Sequence, residues 1–185
     1  MESQYGLIYE KINLDNLNTA YEIQKNIWKD ESDYDDLYDK ATDAKDDNCF
    51  FIVYDKDKII GITGVDVDRE YPDTIWLDWY AILPEYRRKG YGEKVLLDTI
   101  MYCKSLNRFN VFRIETTYYK DRPVLFLYDK VMQSKAEYTA EDTDDKKLNV
   151  LIYSYSLNGK IELWNNKYLG LTKYYEKLKE KKIKE

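Results

Sequence analysis

Leu83-Pro84-Glu85-Tyr86-Arg87-Arg88-Lys89-Gly90-Tyr91-Gly92 is basic, spaced by glycine and flanked by two runs of different period. Upstream, Thr74-Ile75-Trp76-Leu77-Asp78-Trp79-Tyr80-Ala81-Ile82 is rich in β-branched and aromatic residues and reads as a strand. Downstream, Glu93 to Cys103 places Val95, Leu96, Thr99, Ile100 and Cys103 at helical spacing. A strand, a basic Gly-x-Gly loop and a helix start together make an anion site. Glycine lets the backbone approach closely, the first helical N–H groups lack an intrahelical partner, and the helix dipole favours negative charge there. A phosphate is therefore the expected ligand. No Gly-Lys-Ser/Thr follows, so the loop is not of Walker type, and the first glycine of the Rossmann fingerprint is absent.

Working outward, Leu7 to Lys11 reads as a short strand. Leu14–Lys29 and the acid-rich Asp30–Asp47 carry apolar residues near helical spacing and read as two helices. Cys49–Tyr54 and Ile59–Asp68 form a hairpin around the turn Asp55-Lys56-Asp57-Lys58, with Gly61 and Gly64 at a bulge or a close backbone approach. Thr74–Leu83 returns as the next strand of a meander. Beyond the loop and its helix come a strand at Val111–Tyr118 and a helix opening on Arg122-Pro123. Two strands, Ala136–Glu141 and Asn149–Leu157, then flank an acidic turn at Asp142–Asp145. Strands and helices in this order predict a mixed α/β sheet of about seven strands. Residues 1–157 read as one domain. Residues 158–185 read as a C-terminal helical extension, aromatic at first and then rich in Lys and Glu, which could dock on the domain or join a homodimer.

The 185 residues suit one domain with a sizeable core, and 16% aromatic content is too high for a disordered chain. A net charge of −6 argues against nucleic acid as the main partner and leaves room for cationic substrates. The chain has no histidine, which excludes Ser-His-Asp and Cys-His nucleophiles and histidine-ligated zinc. Cys49 and Cys103 lie in apolar runs and read as small buried hydrophobes, so no metal site is expected. The absence of a disulfide framework, a signal peptide and any apolar run of membrane-spanning length predicts a cytoplasmic protein with no membrane partner.

Loop and element order together resemble the GNAT-type N-acetyltransferase superfamily over roughly residues 5–157. That family's phosphate loop, Gln/Arg-x-x-Gly-x-Gly/Ala, is matched by Arg87-Arg88-Lys89-Gly90-Tyr91-Gly92. Leu127-Tyr128-Asp129-Lys130 resembles its Leu-Tyr-x-Lys signature. Two departures are visible: Asp121 stands where the family often has Asn near the cofactor thiol, and Val131-Met132 replaces Gly-Phe. The resemblance implies a mixed, mostly antiparallel sheet with helices on both faces, and acetyl-CoA as cosubstrate. Backbone N–H groups from Arg88 through Lys89, Gly90, Tyr91 and Gly92 to Glu93 would hold the pyrophosphate, helped by the Arg87, Arg88 and Lys89 side chains. The main chain of Ile82 and Leu83 would pair with the pantetheine arm.

The acceptor implied is a primary amine of a small molecule or a peptide. An ammonium of pKa about 10.4 costs roughly 4–5 kcal/mol to deprotonate at pH 7, so a base or a water chain must assist. Without histidine, carboxylates are the candidates. Asp78 lies four residues before Ile82 on one strand, which predicts a shared face and a base role; Asp66, Asp68 and Glu70 are rivals. Tyr128 occupies the position where the family protonates the departing thiolate. Trp28, Tyr34, Tyr38, Tyr71, Trp76 and Tyr80 are candidates to line the acceptor pocket, and the acids of 30–39 to form its rim. The departures at Asp121 and Val131-Met132 motivate an alternative, a non-catalytic acyl-CoA-binding or regulatory module.

Overall fold

The β-branched and aromatic alternation around 50–66 forms a hairpin, and the rest of the sheet grows from it. A computed structural model describes residues 1–28, 33–43, 45–68, 71–118, 122–141, 147–160 and 164. Its strands are β1 (Ile8–Lys11), β2 (Cys49–Asp55), β3 (Lys58–Asp66), β4 (Thr74–Ile82), β5 (Val111–Thr117), β6 (Ser134–Glu141) and β7 (Lys147–Ser156). They lie in the order β1-β2-β3-β4-β5-β7-β6, antiparallel except for the parallel β4–β5 pair. The helices are α1 (Leu17–Trp28), α2 (Tyr34–Thr42), α3 (Tyr91–Ser105) and α4 (Pro123–Val131). The acidic turn at 142–145 and nearly all of the extension after 160 lie outside the described residues.

Two cores sandwich the sheet. On one face α3 and α4 bury Val95, Leu96, Ile100, Leu125 and Tyr128 against Phe51, Val53, Phe112 and Ile114. On the other, α1 and α2 bury Leu17, Ala20, Ile23 and Leu37 against Phe50, Ile52 and Ile62. Each such aliphatic contributes about 1.5–3 kcal/mol by leaving water. The α2 helix is shorter than the acid-rich run suggests: Asp33 caps it by accepting from the Asp36 N–H at 3.0 Å, as a short carboxylate does at a helix start. Asp98, within the apolar stripe of α3, is fully buried. Ser3 and Tyr9 hydroxyls (2.5 and 2.9 Å) and the Gln4 N–H (3.1 Å) donate to it, tying the chain start to α3.

Register shifts bend the middle of the sheet. One lies between β2 and β3 beside Gly61, where a Cβ would run into the Ala81 carbonyl oxygen. The other lies between β3 and β4: Gly61 and Ile62 pair with Ile82 and Ala81, but Gly64 pairs with Asp78. β4 therefore carries one extra residue, and Trp79 absorbs it at φ 41, a conformation costly for a bulky side chain.

Candidate active site

The basic stretch folds as two turns that end in a helix start. Leu83 N–H donates to the Ile60 carbonyl (2.9 Å), and the Leu83 carbonyl accepts from Tyr86 N–H (2.9 Å) to close a 3₁₀ turn at Pro84–Tyr86. Arg88 (φ 59) and Gly90 (φ 80) then take left-handed conformations, and α3 begins at Tyr91. Lys94 N–H is the first of α3 to bond back, to the Gly90 carbonyl at 3.3 Å. The N–H groups of Tyr91, Gly92 and Glu93 thus stand outside the helix ladder, a concave donor set suited to a phosphate. Gly92 is required by close approach: a Cβ there would lie 3.0 Å from the Tyr80 hydroxyl and 3.4 Å from Leu127. Tyr80 in turn donates to the Gly92 carbonyl at 2.6 Å, fixing the first turn of α3 to β4.

The side chains of the loop divide into two groups. Arg87 Nε donates to the Ile82 carbonyl at 2.8 Å, so this guanidinium braces the strand exit through one of its five N–H donors. Arg88 and Lys89 are exposed, with the Lys89 ammonium 5.4 Å from the Tyr86 ring. Tyr91 donates to Asp55, and Glu93 pairs with Lys130 of α4 at 2.7 Å.

Beside the loop the sheet splits. β4 and β5 pair only from Thr74↔Val111 to Trp76↔Arg113. Past that point the rest of β4 has no strand partner on this side among the described residues. Ile82 stands opposite Gly61, and the neighbouring pair Leu83–Ile60 is hydrogen-bonded, so strand alternation turns the Ile82 N–H into the split, while its carbonyl, on the same side, accepts from Arg87. Leu83, by contrast, uses its N–H on Ile60 and one acceptor site of its carbonyl on Tyr86. Asp121 lies outside the described residues.

The β4 bulge also overturns the shared face of Asp78 and Ile82. Ile82 packs in the α3/α4 core, whereas Asp78 meets Lys40 of α2 at 3.0 Å on the opposite face. Lys40 is buried and is also approached by Asp36 (3.7 Å) and Asp66 (3.8 Å). Burial works against the Lys40 charge, but Asp78, Asp66 and Asp36 outweigh it and raise its pKa. Burial pushes Asp78 up to about 6 even against the pull of Lys40. Asp36 is raised by burial as well, and Trp79 Nε1 donates to it at 2.8 Å.

Across the split, β5 presents a group that the sequence reading passed over. Glu115 pairs with Ile152, so it shares the face of Trp76, Ile152 and Trp164. Its Oε1 is buried with no hydrogen-bond partner among the described residues. Burial first, and the nearby Asp68 carboxylate second, push Glu115 up to about 7. The signal in the sequence was a carboxylate in Val111–Thr117, a strand that the element order places inside the sheet. Tyr71 and Trp76 belong to this face, Trp28 packs on Trp79 at 5.1 Å, and Tyr34 and Tyr38 are exposed. Tyr80 lies on the opposite face, beneath the loop.

Tyr128 sits on α4 with its ring 6.3 Å from Tyr80 and 5.4 Å from Tyr153. It is 5% exposed, and burial pushes the phenol well above its ordinary pKa. The donor nest, the split, the buried phenol and the raised carboxylates of the far face all lie around the unpaired end of β4.

The chain belongs to the acetyltransferase (GNAT) family, whose model matches residues 14–132. No curated protein matches it. Among solved structures it is similar to NAA60 of Arabidopsis thaliana in complex with a bisubstrate analogue, at 12% identity and TM-score 0.64 over 83% of this chain and 99% of that one. A mutant spermidine N-acetyltransferase, SpeG, from Vibrio cholerae gives 14% identity and TM-score 0.65 over 83% and 95%. A ribosomal-protein alanine N-acetyltransferase from Escherichia coli gives 16% and 0.61 over 88% and 99%. At these identities the likeness is one of fold. No helix among the described residues is long and apolar enough to cross a membrane.

Proposed function

We propose that this protein transfers an acetyl group from acetyl-CoA to a primary amine of a small molecule or peptide, by direct attack in a ternary complex in the cytoplasm. The observation that carries this is the β4–β5 split, with the α3 donor nest at its mouth and the Ile82 main chain inside it. The N–H groups of Tyr91, Gly92 and Glu93 bind the pyrophosphate, and exposed Arg88 and Lys89 approach the nucleotide phosphates. Asp121 is proposed beside the thiol. The Ile82 N–H polarises the thioester carbonyl, a donor fixed before charge develops.

Glu115 takes the proton from the attacking ammonium, directly or through water. Its raised pKa suits a base working near neutral pH, and its Oε1 has no hydrogen-bond partner among the described residues. Asp78, tied to Lys40, is the second candidate; with Asp36 and Asp66 it makes the acceptor side net acidic and favours a cationic amine. Tyr128 protonates the departing thiolate. Residues 1–157 form the working domain, and 158–185 an extension.

Thiol release from acetyl-CoA against an amine panel, with product masses, tests the reading. Turnover on at least one amine, lost in Tyr128→Phe and depressed below pH 7 through Glu115, is expected. Tight CoA binding with no turnover on any amine would leave the non-catalytic module instead. Sedimentation of the full chain and of one ended after Leu157 tests whether the extension joins two copies.

A further inference from the structure

Trp164 lies beyond the end of β7, in the extension, yet it is only 7% exposed. It returns to the sheet on the Glu115 face of the split. Its ring stands 5.7 Å from Trp76 and 5.0 Å from Tyr71, and the Arg113 guanidinium lies over it at 5.1 Å. Arg113 is 4% exposed and donates through Nη1 to Ser154 Oγ at 2.5 Å.

Arg113 and Glu115 are two residues apart on one face of β5, about 7 Å along the strand, well within reach of a long guanidinium. An Arg in a dry setting pairs with a carboxylate when it can. Here the guanidinium is drawn onto Trp164 and Ser154, and the Glu115 Oε1 has no partner among the described residues. Among the described residues, the remaining surroundings of Glu115 come from three elements. The β3–β4 connection presents Asp68 and Tyr71, β4 presents Trp76 and, across the split, Asp78, and β7 presents uncharged Ile152 and Ser154. Of these charges only the Asp68 carboxylate acts on Glu115, and it opposes ionisation. Trp164 lies over Arg113 and packs on Trp76 in the buried cluster of this face.

We propose that Trp164 is a positioning residue of the transfer site: by covering Arg113 and Trp76, it keeps the Glu115 carboxylate unpaired and dry. Residues after the last strand thereby set the proton chemistry at the middle of the sheet. The catalytic consequence rests on the reading of Glu115 as the base; the effect on Glu115 itself does not.

Two readouts keep these apart. Carbon-13 NMR titration of the glutamate carboxyls, assigned through Glu115→Gln, reads Glu115 without turnover, and the pH profile of kcat/KM reads the base. Trp164→Ala is expected to lower the Glu115 midpoint by about one pH unit, as water enters and the cation–π contact on Arg113 is lost. The acid limb of the profile moves down with it. Trp164→Phe, which keeps an aromatic face for Arg113, restores most of the midpoint. Trp164→Leu, which keeps apolar cover and loses the cation–π contact, falls between and serves if the alanine variant does not fold. A Glu115 midpoint unchanged in both Trp164→Ala and Trp164→Leu would overturn the inference. A shifted midpoint with an acid limb that persists in Glu115→Gln would uphold the inference and overturn the base assignment alone.

Discussion

Replacing Gly92 by alanine tests how the donor nest is held. At a plain position in a helical first turn, this substitution stabilises by about 0.5–1 kcal/mol, because glycine loses more backbone entropy on folding. Here the new methyl would lie 3.0 Å from the Tyr80 hydroxyl and 3.4 Å from Leu127. Tyr80 is packed into the core beneath the loop, so its ring has little room to yield, and its 2.6 Å bond to the Gly92 carbonyl is the contact that must give. Losing a buried hydrogen bond with a polar group left unpaired costs about 1–3 kcal/mol. The balance is a net loss of about 1 kcal/mol. In a Tyr80→Phe background the obstructing oxygen is gone, and Gly92→Ala should stabilise by about 0.5 kcal/mol. Urea unfolding of the four proteins gives a coupling of roughly 1.5 kcal/mol if the reasoning holds. A Gly92→Ala protein as stable as the parent, with no coupling to Tyr80, would refute it. Calorimetric titration with CoA should show affinity falling in parallel, since α3 carries the donor N–H groups.

Tyr128→Phe should lower kcat by roughly 10²–10⁴-fold while leaving the KM for acetyl-CoA nearly unchanged, as read by steady-state thiol release. Stability should fall as pH rises between about 4 and 7: Asp78 and Glu115 keep their protons in the folded chain up to about 6 and about 7, above their ordinary values of 3.8 and 4.5. Their contribution is full below those ordinary values and lost through the folded ones, so Glu115→Gln should flatten the upper part of the decline in thermal melts across pH. Lys40→Met should destabilise by roughly 3 kcal/mol, the lower end for breaking a buried pair, because Asp78, Asp36 and Asp66 keep 29%, 36% and 49% exposure; urea unfolding reads it. Lys40→Met combined with Asp78→Asn should recover part of that loss.

The loop and the helix start after it could be read from the chain because they are local. Arg87 to Gly92 carry their own geometry, and the strand and helix periods on either side fix where the loop sits. The meander order and the Leu127-Tyr128 position follow from the same short-range signals. What escaped the reading depends on contacts between distant segments. The extra residue at Trp79 exists because β3 and β4 are out of register, and nothing in Asp78-Trp79-Tyr80 announces the flip. Lys40 looks like one more charge on an acid-rich helix, and only the folded sheet brings Asp66 and Asp78 around it. The bond from Arg87 Nε to the Ile82 carbonyl depends on how the strand exit bends, which the loop residues alone do not announce. Glu115 was the nearest to legible: alternation put its charge on an inner strand, where an ionisable group needs a reason.

Amide hydrogen exchange with and without acetyl-CoA, resolved residue by residue, tests the central assignment most directly. Protection on adding acetyl-CoA should concentrate at the Ile82 N–H inside the split and at the amides of Arg88 to Glu93. Binding that protects other segments and leaves Ile82 and the α3 start unchanged would contradict the placement of the donor in the β4–β5 split.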